Sequence, residues 1–134
     1  MTQATPNYIN PPHLHDPRPN GYSMAAIAPE GGRLAFISGQ GGQDQTGGLS
    51  PEFAVQVAQA YASLSAVLEA LGAGPRQVVK LTVFVVDHDM SKLPVLTEAV
   101  TGLFGERLPA QTLVPVPKLA VDGMLFEVEA VAVL

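Results

Sequence analysis

Residues 77–87 read Gln-Val-Val-Lys-Leu-Thr-Val-Phe-Val-Val-Asp. β-Branched and aromatic residues dominate the run, which suits an extended strand. One side of that strand carries Val79, Leu81, Val83 and Val85; the other carries Val78, Lys80, Thr82, Phe84 and Val86. A strand that is largely apolar on both sides is expected to be covered on both. The segments around it must supply that cover.

Upstream, Ala54, Val57, Ala58, Tyr61, Leu64, Leu68 and Leu71 recur at helical spacing. Ser50-Pro51-Glu52 supplies a hydroxyl N-cap, a proline for the first helical position and an acid for the first turn. Gly72 and Gly74-Pro75 stop the helix. Downstream, Ser91 is the expected cap of a second helix with Leu93, Leu96, Val100, Leu103 and Phe104 inward, ended by Gly105 and Pro109. Residues 22–28 and 33–38 flank Pro29-Glu30-Gly31-Gly32 and read as a β-hairpin, followed by a glycine-rich loop, 39–49. Residues 111–119 and 124–134 read as a closing strand pair around Val121-Asp122-Gly123. Pro115 and Pro117 lie two apart, so their missing N–H groups fall on one edge, which predicts an edge strand or a bulge.

The order ββαβαββ predicts an α+β domain with two helices on one face of a mixed sheet. Residues 1–21, with five prolines, read as an irregular lead-in, and residues 22–134 as the domain. Two helices cannot cover both faces, so the second apolar face predicts an oligomer. The charged fraction, 14%, points the same way, since globular domains carry roughly 25%. A chain of 134 residues buries roughly two-thirds of its unfolded surface, enough for one core.

Composition also excludes chemistries. No cysteine is present, which removes disulfides, thiolate catalysis and cysteine-ligated zinc. A net charge of −5 with seven scattered Lys and Arg argues against nucleic acid, which needs a concentrated basic face. The N-terminal stretch has neither basic nor apolar character of a secretory signal. No segment reaches the ~18 apolar residues of a membrane span. A cytoplasmic location is the expectation.

Five stretches together carry a likeness. They are Tyr22-Ser23, Ile37-Ser38-Gly39-Gln40, the Val79–Asp87 strand, Leu108-Pro109-Ala110, and Phe126-Glu127-Val128-Glu129-Ala130-Val131-Ala132-Val133. In order and spacing, over about residues 20–134, they resemble the YjgF/RidA family of reactive-intermediate deaminases, also known by an endoribonuclease label. The resemblance implies a chorismate-mutase-like fold and a homotrimer whose sheets form a central barrel. It implies ligand clefts between subunits and hydrolysis of enamines and imines, such as 2-imino acids, to 2-oxo acids and ammonia. No metal or cofactor is implied.

One position departs. Gln111 stands where the family pattern has an arginine that holds the substrate carboxylate. A guanidinium offers charge and a donor fork; an amide offers one NH₂ and no charge. Hydrogen bonds to charged groups are worth roughly 1.5–3 kcal/mol against about 1 for neutral ones, so a 2-imino acid is expected to lose tenfold or more in affinity. Gln111 either orients a neutral or amide-bearing ligand or marks a site that has lost its chemistry.

The resemblance makes Glu127, rather than Glu129, the match to the catalytic acid. A carboxylate at an apolar interface can hold the attacking water and move its proton; otherwise Glu127 is a solvated strand residue. Ser38 and Gly39 can present a hydroxyl and an N–H to a ligand, or simply make a turn. Tyr22 either closes the pocket or is a core aromatic. Thr97 falls near a cleft-lining position of the family. His13-Leu14-His15-Asp16 has no third ligand at recognisable spacing and reads as a surface loop, not a metal site. Arg18 and Lys118, the cations considered as substitutes for the arginine, are expected to be exposed. The glycine-rich loop lacks the Lys-Ser/Thr of a phosphate loop.

Three functions follow: an enamine or imine deaminase, a non-catalytic trimer that binds a small metabolite, and a ribonuclease. The acidic charge and the lack of a histidine acid–base pair disfavour the last.

Overall fold

The computed structural model describes residues 5–134; residues 1–4, the start of the expected lead-in and of the stretch compared with a signal, lie outside the described residues. The 77–87 run forms β4 (Val78–Val86). Its helix-facing residues are Val78, Leu81, Val83 and Val85, each at most 1% exposed. Val78 takes the place expected of Val79. The register against the last strand runs Val78 to Ala132 and then Lys80 to Val131, so a bulge absorbs Val79 and shifts the alternation by one.

The other elements are β1 (Asn7–Ile9), β2 (Ala25–Ile27), β3 (Leu34–Gly41), α1 (Phe53–Ala70), α2 (Leu93–Phe104), β5 (Ala110–Val116) and β6 (Phe126–Val133). The main sheet runs β3-β6-β4-β5, with only the β4–β5 pair parallel. The fold is α+β with two helices on a mixed sheet. β5 is an edge strand, with Pro115 inside it and Pro117 just past its end.

Both expected hairpins are wrong. β2 pairs with β1 in a separate two-stranded ribbon, not with β3. Residues 7–9, expected to be irregular, therefore form a strand. β3 takes the chain's last strand instead: Arg33 and Leu134 exchange N–H···O bonds of 3.0 and 2.8 Å, and the ladder continues along β6. Likewise β5 and β6 do not pair; β4 lies between them. The Asp-Gly turn signal is local, whereas β4, apolar on both sides, gains most from a central place.

Helix boundaries also shift. Glu52, extended at φ −90°, flanks α1 without a side-chain cap bond. The Ser50 hydroxyl accepts the Glu52 N–H, so the expected cap and Pro51 lie before the helix. Asp89, not Ser91, caps the turn leading into α2: its carboxylate accepts the Ser91 N–H at 2.8 Å. Val57, Tyr61, Leu64 and Leu68 of α1 pack with Leu96, Val100 and Phe104 of α2 over Leu81, Val83, Phe126 and Val128. Phe126 meets Phe53 edge-on at 6.2 Å and Tyr61 at 5.7 Å. Ala54, Ala58 and Leu71, expected inside, are exposed; the two alanines line a groove between the helices.

A fully buried polar side chain braces this core. Gln56 is fully buried, donates through Nε2 to the Ser50 and Gly123 carbonyls at 2.7 and 2.8 Å, and accepts from the Leu125 N–H at 2.8 Å. It ties the start of α1 to the β5–β6 connection. The opposite sheet face stays open: Phe36 is 76% exposed and Leu34 58%.

Candidate active site

Gln111 pairs in register with Leu81, whose side chain is in the core. Its own side chain therefore lies on the helix side of the sheet, at the β5 edge. The lead-in closes over it. Ser23 donates its N–H to the Pro109 carbonyl at 3.0 Å and bridges to Ala110, which sets Tyr22 beside the start of β5. Gly21, at φ 86°, allows the close pass: a Cβ there would lie 2.6 Å from Val100 Cγ1. Tyr22, Thr97 and Gln111 line one depression of about 300 Å³ with Asn20, Leu93 and Leu96 among its walls. So three of the six expected site residues converge.

Two details refine that depression. Gln111 Oε1 is buried without a hydrogen-bond partner. His15 Nε2 lies 3.3 Å from the Tyr22 hydroxyl. The sequence marks His15 as part of a surface loop; nothing in a proline-broken segment signals its contact with a residue seven positions on. Asp16 pins this loop through Arg18, at 2.8 Å from Nε and 2.9 Å from Nη2. The Arg18 hydrogen bond holds the Asp16 carboxyl below its ordinary range. Arg18 is thus engaged, as is Lys118, 2.6 Å from Asp122; both are exposed, and neither lines the depression.

The remaining three residues gather on the open face. In β6, Phe126, Val128 and Ala130 point into the core, which turns Glu127 and Glu129 the other way. Between Ile37 and Gln40 the β3–β6 register slips by a residue. Glu127 lies over that bulge: a Cβ on Gly39 would be 1.6 Å from its Oε1. A side chain at position 39 fits only if Glu127 moves away. Ser38 is exposed beside it, its carbonyl accepting from Gln40 Nε2 at 3.1 Å. Glu127 forms no ion pair among the described residues. Glu129 stands further along the strand, in a small pocket with Phe36, Lys80 and Thr82. Lys80, overlooked as a possible site cation, donates to Thr112 Oγ1 at 2.9 Å.

Two clusters result, on opposite faces of one sheet. Within a single chain, Gln111 and Glu127 do not meet.

Comparison with known proteins gives the family. A model of the endoribonuclease L-PSP family matches residues 15–134. This chain belongs to the YjgF/RidA family. A RutC family protein of Pyrococcus horikoshii is 35% identical over 119 residues, covering 87% of this chain and 90% of that one. The 2-iminobutanoate/2-iminopropanoate deaminase of Salmonella typhimurium is 33% identical over 104 residues, covering 76% and 80%. Among solved structures, the Rid-family protein YyfB of Yersinia pestis superposes with a TM-score of 0.91 at 30% identity, covering 98% of this chain and all of that one. RidA from an Antarctic Psychrobacter gives 0.70 at 32% identity, covering 84% and 88%. No helix among the described residues of this family member is long and apolar enough to cross a membrane.

Proposed function

We propose that this protein is a RidA-like hydrolytic deaminase of reactive enamine and imine metabolites, cytoplasmic and active as a homotrimer. The Tyr22–Thr97–Gln111 depression of one copy faces the Ser38–Gly39–Glu127 shelf of the next. The observation that carries this reading is the division of the site between two sheet faces, one of them open and rimmed by exposed Phe36 and Leu34. A 33% identical relative bears the name of an imine deaminase, which supports the reaction class.

The chemistry asks little of the protein. An enamine takes a proton on carbon and becomes an imine. Glu127 accepts a proton from water as the oxygen attacks the C=N carbon. The nitrogen is protonated, the C–N bond breaks, and ammonia leaves behind a carbonyl. Water is the only co-reactant, so the reaction needs neither cofactor nor metal. In this reading Ser38 and the Gly39 N–H hold the substrate beside Glu127, while Gln111 in place of the family arginine alters the substrate range.

The test is ammonia release from a varied enamine panel. The purified protein is expected to accelerate it, and Glu127→Ala to abolish that acceleration. No acceleration across the panel would instead favour a second reading, a metabolite-binding trimer without turnover, to which Gln111 points. Ribonuclease activity gains nothing from an acidic chain, and a ribonuclease assay is expected to stay at background.

A further inference from the structure

We infer that the Gln111 depression takes the uncharged end of its ligand, a primary carboxamide or a similar neutral N–H and C=O pair, where a 2-imino acid presents a carboxylate. The inference rests on the deaminase reading for the site's role and for the approach of Glu127 from another copy; the lack of a counter-charge follows from this depression.

Its polar walls are Asn20, Tyr22, Thr97 and Gln111, with Thr112 at the rim turning its side chain to the open face, and no charged side chain lines it. Cations nearby are held elsewhere. Arg18 is on Asp16. Arg107 donates to the Pro6 carbonyl at 2.8 Å and stacks 5.2 Å over Tyr8. Lys80 reaches Thr112 Oγ1 from the neighbouring strand and ends there. A bound carboxylate would lack a counter-charge, and Glu127 of another copy would approach it as a like charge.

Gln111 itself has unmet capacity. Its Oε1 is buried without a donor, and its terminal amide torsion is a soft, roughly twofold one. A primary carboxamide supplies both an N–H for that oxygen and a carbonyl for the NH₂, forming two reciprocal bonds. A carboxylate supplies acceptors only, so it leaves Oε1 unpaired and facing an anion. The Tyr22 hydroxyl, within 3.3 Å of His15 Nε2, can donate or accept, so it does not restore a preference for charge.

The experiment is calorimetric titration of the assembled wild-type protein with 2-oxobutanoate and with 2-oxobutanamide, inert products that need no turnover. The amide is expected to bind at least tenfold tighter, and Gln111→Arg to reverse the order. Equal or tighter binding of 2-oxobutanoate by the wild type overturns the inference; loss of that binding in Lys80→Met would name Lys80 as the missed cation. Failure of both compounds to bind at millimolar concentration overturns it too. Amide preference without ammonia release from the matching enamine amide keeps this inference and removes the deaminase reading. Release from 2-imino acids without amide preference does the reverse.

Discussion

A Cβ at position 39 would sit 1.6 Å from Glu127 Oε1, so the carboxylate lies where an alanine methyl would go. The far end of a glutamate can swing aside. Gly39→Ala is therefore expected to displace Glu127 more than it disturbs the fold. Ammonia release should drop at least tenfold while the melting temperature moves by only a few degrees; unchanged turnover would mean that the shelf does not position the acid. Carboxylates also set the response to acid. Asp89 is held below its ordinary range first by the Ser91 hydroxyl and then by the Ser91 N–H. Asp44 is held down first by the Thr46 hydroxyl, and Asp16 by Arg18. A depressed folded pKa contributes stability that is complete above the unfolded value, near 4, and is lost as pH falls through the folded one. Melting temperature should thus decline below about pH 4. Asp89→Asn should flatten part of that decline, and superimposable profiles for variant and wild type would show that the α2 cap is not involved.

At the level of elements, Gln56 is the bond between α1 and the β5–β6 connection. Gln56→Leu keeps the volume but strands two carbonyls and an N–H, at a cost of about 3 kcal/mol. Urea unfolding measures this, and a loss below about 1 kcal/mol would show that the stranded groups find other partners. Nothing in the sequence marks Gln56, because a polar residue on a helix stripe reads as solvent-facing. The apolar stripes themselves were legible: Val57, Tyr61, Leu64, Leu68, Leu96 and Val100 are where helical spacing put them. Strand partners were not. A turn signal such as Asp122-Gly123 speaks for its neighbours, while pairing is decided by which strand buries most, here β4. The Val79 bulge was hidden for a related reason, since it arises from the register with β6, some fifty residues away.

For the molecule as a whole, the open sheet face governs behaviour. Phe36 stands on it 76% exposed. Phe36→Asp is expected to weaken assembly, seen as a smaller species in sedimentation, and to abolish ammonia release even though position 36 lies outside the proposed chemistry. A variant that stays fully assembled and active would remove Phe36 from the interface. The six candidate residues were named from sequence; that they divide three and three between opposite faces was not legible, because which face a strand residue takes depends on register. One last feature bears on how such a chain stays dispersed. The Pro109 carbonyl turns outward from β5 to meet Ser23, so by alternation Pro115 and Pro117 withhold their donors on that same outer rim. Molecules arriving rim to rim find no row of donors to zip onto. Growth into fibres is hindered at the β5 flank, where a sticky, half-covered sheet would otherwise recruit strand after strand.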